Sequence, residues 1–345
     1  MTRMAEETGE IPAVIARLLD EGLAGIREAA AHIRAASPRW VVAAGRGSSD
    51  HAATYARYRV ETQLGLPAGL AAPAVTTLYG ARIDWRDALV VAISQSGAGP
   101  DVAETVEAAR AGGAVTVAIT NEAGSALAAV ADHVLLCRAG TERSVAATKT
   151  YVASLAVVAA LVDEVAGGDG FGGAVPALPD TLAGALDRSR TWLDRGVADA
   201  FAAGDRAFVV SRGHNLATAL ETALKLKETA GVFADGYSSA DFEHGPIVLA
   251  VPGVEVLAFR PAGPVGRSIE TVLGRLEDRG VRPWVVSDVR IERRQPRDLR
   301  LEPLPEPLTP IAFAIPGLLL AEAVAVRREL DPDAPAGLAK VTLTR

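Results

Sequence analysis

Short, wholly apolar runs recur along this chain, and each ends in a glycine- or hydroxyl-bearing turn that opens a helical stretch. Trp40–Ala44 (WVVAA) runs into Gly45, Arg46, Gly47, Ser48 and Ser49 and a helix through Glu61. Ala88–Ile93 (ALVVAI) runs into Ser94, Gln95, Ser96 and Gly97 and a helix over Asp101–Ala111, and Ala114–Ile119 and His133–Cys137 supply two further runs. A strand with one wet face alternates apolar and polar residues. Strands apolar at every position need cover on both faces, which in a strand–turn–helix order means a parallel sheet between helices. The pattern then restarts: Ala207–Val210 leads into Ser211, Arg212, Gly213 and His214 and a helix over Leu216–Ala230, with Arg46-Gly47 and Arg212-Gly213 in equivalent positions. Val254–Phe259 and Pro283–Ser287 follow as the second and third strands of the second copy.

The expected fold is therefore α/β, with two tandem flavodoxin-like units, each a parallel sheet with helices on both faces. Residues 1–35 form an N-terminal helical segment, 36–165 the first unit, 166–195 a linker and helix, 196–330 the second unit, and 331–345 a C-terminal tail that contributes to the site. The linker is marked by the Gly- and Pro-rich stretch from Ala166 to Asp180. Ile311–Leu330 reads as a strongly apolar helix.

Composition narrows the function. The 42 acidic residues outnumber the 35 basic ones, for a net charge of −7, which argues against a nucleic-acid binder. Cys137 is the sole cysteine, so neither a disulfide framework nor a cysteine-based metal site is expected. Tyr151–Val162 falls short of the roughly 20 residues a membrane crossing takes. No basic region followed by an apolar run marks the N-terminus as a signal peptide. A soluble cytoplasmic protein without membrane contact is expected.

In open parallel sheets ligands bind beyond the carboxyl ends of the strands, where strand order reverses. Ser48-Ser49, Ser94-Gln95-Ser96-Gly97 and the stretch Thr141–Lys149 all fall at such ends. Two hydroxyls, an amide and successive backbone N–H groups at a helix start suit a phosphate dianion. The alternative is that Ser94 and Ser96 merely cap the following helix. No P-loop or dinucleotide fingerprint is present, so neither nucleotides nor NAD are indicated.

Ser94-Gln95-Ser96-Gly97, Gly140–Lys149 (GTERSVAATK), Ala223–Glu228 (ALKLKE) and His244-Gly245-Pro246 resemble the sugar-isomerase (SIS) family. Most similar are the isomerase half of the glutamine–fructose-6-phosphate aminotransferases and the stand-alone SIS-type glucosamine-6-phosphate deaminases. The resemblance spans nearly the whole chain, from about Pro38 to Arg345. With no starting cysteine and about 35 residues before the first strand, the chain is expected to act without a glutaminase.

The resemblance implies that Ser94, Gln95 and Ser96 hold the phosphate, with Ser49 and Ser48 beside them, and that Val145 and Ala146 form a substrate-binding loop. It departs at Ala98 and Gly99, where the aminotransferases carry Glu-Thr, so one phosphate-binding hydroxyl is missing. Lys225 and Glu228, three apart on a helix, would by spacing alone be an ordinary surface ion pair. The resemblance makes Glu228 the group that moves a proton between C1 and C2, supported by Lys225. It gives His244 the ring-opening role from across a homodimer interface, and it gives Lys340 contact with the open-chain carbonyl. The apolar character of Ile311–Leu330 adds to the dimer expectation. Glu142 is expected to shape its loop, and His32, His51, His133 and His214 to be structural.

The implied activity needs no metal or organic cofactor: isomerising deamination of glucosamine 6-phosphate to fructose 6-phosphate and ammonia. Another phosphosugar isomerase, a fructosamine-6-phosphate deglycase and an aminotransferase without its glutaminase share the same proton shift. A phosphosugar sensor without turnover is the reading from a different class.

Overall fold

A computed structural model describes residues 1–168, 171, 174–289 and 297–342. The strands are β1 (Trp40–Ala44), β2 (Ala68–Leu70), β3 (Ala88–Ile93), β4 (Val115–Thr120), β5 (His133–Leu136), β6 (Arg206–Ser211), β7 (Phe233–Ser238), β8 (Glu255–Arg260), β9 (Trp284–Ser287) and β10 (Leu299–Arg300). They form two five-stranded sheets, β2-β1-β3-β4-β5 and β7-β6-β8-β9-β10, and every pairing in both is parallel. Each sheet starts in its interior, adds its second strand on one side and the remaining three on the other. This is the flavodoxin-like order, with the reversal between β1 and β3 in one sheet and between β6 and β8 in the other.

The chain divides into two compact units. One gathers Met1–Pro12, Arg143–Thr148 and Ala177–Leu338 around the second sheet; the other gathers Ala13–Glu142, Lys149–Pro176 and Ala339–Arg345 around the first. Both the N-terminal segment and the C-terminal tail are thus shared out.

In the unit of the first sheet, β3 is buried at all six positions. Val90 and Ala92 face the helix Pro100–Ala111 through Val102, Val106 and Ala109. Leu89 and Val91, on the opposite face, meet Ala56 and Val60 of the helix Ser48–Gln63 and Val158, Leu161 and Val162 of Lys149–Val165. That is the period-two alternation of a strand with apolar cover on both sides.

In the unit of the second sheet, Phe208, Val210 and Val256 pack with Val272 and Leu276 of the helix Pro264–Asp278. The helices Leu216–Ala230 and Thr309–Arg327 pack against each other, and Phe259 stacks on Phe313 at 6.1 Å. The segment Glu306–Arg327, of mean hydropathy 1.8, is long and apolar enough to cross a membrane, but 89% of its apolar window is buried inside the protein. It is a core helix. Its apolar character is spent within its own unit and does not speak for a dimer interface.

Gly317 lets these two helices approach closely. A Cβ there would overlap Thr222 Oγ1 and lie 3.1 Å from Thr222 Cβ. Replacing a mid-helix glycine with alanine ordinarily stabilises by about 1 kcal/mol. Here the contact reverses the sign. Gly317→Ala is expected to cost about 1–3 kcal/mol, as for other overpacked cores, and Thr222→Ala in the same chain to recover part of the loss. Chemical denaturation of the two variants checks this, and a Gly317→Ala chain as stable as the parent would refute the close-contact account.

Candidate active site

The turns after β1 and β3 lie side by side, because Ala44 pairs with Ala92 in register. Ser94, Gln95 and Ser96 are half-buried, as are Ser48 and Ser49. The Gly97 N–H donates to Ser94 Oγ at 3.1 Å and the Ala98 N–H to Ser96 Oγ at 3.3 Å. The Gln95 carbonyl accepts from the Asn121 N–H at 3.0 Å and from Thr120 Oγ1 at 3.2 Å. The serines therefore brace their own turn, and their hydroxyl protons remain available to a ligand. A further link is absent from the sequence reading: Arg46 Nε donates to Asp101 Oδ2 at 2.8 Å. Asp101 is 1% exposed and stands in the first turn of the helix Pro100–Ala111. This ion pair ties the turn after β1 to the helix that follows the β3 turn.

Lys340 and Glu142 belong to the same unit. Lys340 Nζ donates to Glu142 Oε2 at 2.8 Å; Thr150 adds its N–H at 3.1 Å and its hydroxyl at 2.7 Å. Burial alone would raise the Glu142 carboxyl. The Lys340 ammonium and the Thr150 bonds outweigh it and hold the group below the ordinary glutamate value of 4.5. Glu142 thus does more than shape a loop: it anchors Lys340, whose partner is a carboxylate rather than a second cation. In the same unit, burial pushes the Cys137 thiol up to about 12, which disqualifies it as a nucleophile near neutral pH.

The other unit holds Lys225, Glu228, His244, Val145 and Ala146. The helix Leu216–Ala230 ends on Gly231 in the left-handed region and buries Lys225 to 1% exposure. Lys225 Nζ donates to Glu228 Oε2 and lies 3.6 Å from Glu221 Oε1. Glu221 is 2% exposed, whereas the Glu228 side chain keeps 25% of its surface. The Lys225–Glu228 pair is therefore no surface bridge. A lysine is buried between two carboxylates of its own helix, and one of them is presented outward. Glu221, four residues before Lys225, has the i,i+4 spacing that would have revealed it in the sequence.

Val145 and Ala146 lie in an irregular stretch, with the Val145 N–H donating to the Asp333 carbonyl at 3.1 Å. His244 follows the short helix Ser239–Glu243 and is exposed; no side-chain hydrogen bond ties it down among the described residues. Val248, Leu249 and Val251, just beyond it, are 64%, 61% and 44% exposed. Of the remaining histidines, His32 and His133 hydrogen-bond each other at 2.7 Å and His214 lies 3.4 Å from Glu306.

The SIS domain model matches residues 36–163. A crystal structure from Silicibacter pomeroyi DSS-3, described as a candidate phosphosugar isomerase, is 37% identical and superposes with a TM-score of 0.87 over 96% of this chain and 100% of that one. The chain belongs to the SIS family. The glutamine–fructose-6-phosphate aminotransferase of Pyrococcus horikoshii is 34% identical over 316 residues, 87% of this chain and 51% of that protein. The chain thus spans about half the length of the curated relatives it matches. The glucosamine-6-phosphate deaminase of Thermotoga maritima, at 19% identity and a TM-score of 0.82, shares the fold.

Lys340→Met tests the Glu142 anchor. In the wild type the lowered Glu142 carboxyl contributes stability above pH 4.5, and this is lost as pH falls through its folded value. Without Lys340, Glu142 is left buried without its cation. The variant is expected to lose about 3 kcal/mol at pH 7, the lower end for removing one partner of a buried pair. The gap should narrow below pH 4.5. Urea unfolding at pH 7 and pH 4 reads both, and an equal deficit at the two values would contradict the assignment.

Proposed function

We propose that this SIS protein catalyses isomerising deamination of glucosamine 6-phosphate, giving fructose 6-phosphate and ammonia, as a cytoplasmic homodimer. The observation that carries the reading is Lys225 buried beside Glu228 and Glu221, because buried charge clusters of this costly kind concentrate where acid–base chemistry is done. The half-buried hydroxyls of Ser94 and Ser96, the Gln95 amide, and Ser48 and Ser49 would hold the phosphate, with backbone N–H groups supplementing them where Gly99 lacks a hydroxyl.

His244 would open the ring, shuttling a proton between the ring oxygen and the anomeric hydroxyl. Its exposed imidazole and the neighbouring Val248, Leu249 and Val251 support a role completed in a second subunit. Glu228 then takes the C2 proton and returns it to C1, converting the open-chain 2-amino aldose to a 2-imino sugar. The Lys225 ammonium stabilises negative charge that develops on the enolic intermediate. Lys340 meets the C1 oxygen, and Val145 and Ala146 line the sugar. Water adds to the C2 imine and ammonia leaves, so one water is consumed for each ammonia and each fructose 6-phosphate formed.

Purified protein given glucosamine 6-phosphate should release ammonia and fructose 6-phosphate in equal amounts. Glu228→Gln should still bind the sugar but turn over at least about a hundredfold more slowly, the usual scale for a lost acid–base group. Full activity in that variant would sink its assigned role. Since the reaction is reversible, a low KM for ammonia in the formation of glucosamine 6-phosphate from fructose 6-phosphate would point to an aminotransferase lacking its glutaminase. Conversion of other phosphosugars alone would point to an isomerase or deglycase, and binding without conversion to a sensor.

The shared site makes a separate prediction. Inactive Glu228→Gln and inactive His244→Ala chains, mixed and allowed to exchange, should regain activity, since one site of each hybrid dimer keeps both groups. Absence of recovery after demonstrated exchange would rule out donation of His244 across an interface.

A further inference from the structure

The stretch Arg143–Thr148, which carries Val145 and Ala146, has no regular secondary structure of its own to fix its backbone. What fixes it is a carboxylate far away in sequence. Glu7, in the helix Arg3–Gly9, is 5% exposed. Its Oε1 accepts the Arg143 N–H, and its Oε2 accepts the Ser144 N–H at 3.2 Å and the Ser144 hydroxyl. The Ser144 hydroxyl also lies 3.0 Å from the Ala146 carbonyl, so its single proton is shared between the carboxylate and the loop. Three donors on one buried carboxylate make a charge-assisted set, stronger and more directional than neutral bonds.

The tail completes the arrangement. The Asp333 carboxylate accepts the Arg3 and Met4 N–H groups, both at 2.8 Å, at the start of the same helix. The Asp333 carbonyl accepts the Val145 N–H at 3.1 Å. Helix to loop through Glu7, loop to tail through Val145, and tail to helix through Asp333 form a closed ring of hydrogen bonds. Thr2 caps the helix by accepting from the Ala5 N–H at 3.1 Å, and its hydroxyl donates to Glu322 at 2.7 Å, which secures the bracket to the core helix Thr309–Arg327.

We propose that Glu7 is a positioning residue for the substrate: it holds the backbone of residues 143–146 in the conformation that presents Val145 and Ala146 to the sugar. The substrate half of this statement rests on the phosphosugar reading above. The backbone half does not.

Glu7→Gln is nearly isosteric but turns one acceptor into a donor, which then faces a backbone N–H. Hydrogen exchange of the full-length protein should show the amides of Arg143, Ser144 and Val145 losing about tenfold or more in protection, with strand β6 unchanged. In the glucosamine 6-phosphate assay KM should rise about tenfold with a smaller change in kcat, the pattern of lost binding rather than lost chemistry. Inhibition by inorganic phosphate, which needs only the serine turn, should be unaltered. Should Glu7→Gln fold poorly, Ser144→Ala deletes one of the three bonds and should move KM in the same direction by a smaller factor.

Unchanged loop exchange overturns the proposal outright. A loosened loop with KM unchanged in an active enzyme overturns its substrate half. Loss of protection in a protein whose wild type converts no phosphosugar and is not competed by phosphate refutes the substrate half together with the functional reading, and leaves the backbone half standing.

Discussion

A parallel sheet covered on both faces leaves almost no room for polar side chains along its strands, and this constraint governs where every functional group of the chain can stand. β3 is buried at all six positions and β9 at all four, so chemistry is displaced to the strand ends and to helices. The serine turns take the first option. They sit beyond β1 and β3, where the strand order reverses and helices on opposite faces leave a crevice. Arg46 and Asp101 hold the elements bordering that crevice together.

Lys225 takes the second option and meets a harsher version of the same constraint. A buried ammonium is tolerable only when compensated, and its own helix supplies both carboxylates, at i−4 and i+3. The pairing is tied to packing. The helix that carries it is pressed close to Thr309–Arg327 by Gly317, and Thr229 Oγ1 lies 3.3 Å from the Ala321 carbonyl of that helix. A shift of the core helix therefore moves the Lys225–Glu228 pair as well.

The strands most visible in the sequence are those the sheet buries on both faces. Of the four edge strands only β5 was visible, through its apolar run HVLL, and the other three escaped. β2 has three residues and β10 two, both at sheet edges. β7 pairs with β6 over six positions yet spells FADGYS, with no apolar run, because as an edge strand it needs cover along only part of its length. Gly236 within it marks a close approach rather than a turn, since a Cβ there would lie 2.9 Å from Leu220 Cα. The site was legible to the same degree. The pairing of Lys225 with Glu228 on one helix could be read from spacing, though its burial could not, whereas Glu7 reaches Arg143 across 136 residues and Asp333 reaches Arg3 across 330. No local pattern records a contact of that range.

Both sheets have the same strand order, yet their carboxyl ends are not equivalent chemically. Beyond β6 and β8 the turns again place glycines with positive φ, Gly213 and Gly263, where the first sheet has Gly47 and Gly97. In the second sheet a carboxylate stands against them. Built Cβ atoms on Gly213 and Gly263 would lie 3.5 Å and 3.4 Å from the two oxygens of Glu306, and His214 Nδ1 is 3.4 Å from one of them. Negative charge at that place would repel an anion, and the serine turn of the first sheet carries none. The backbone plan is the same in both sheets, but the turns of the first end in serine hydroxyls and those of the second face the chain's own carboxylate. Two sheets of one strand order thus need not carry two sites of one kind.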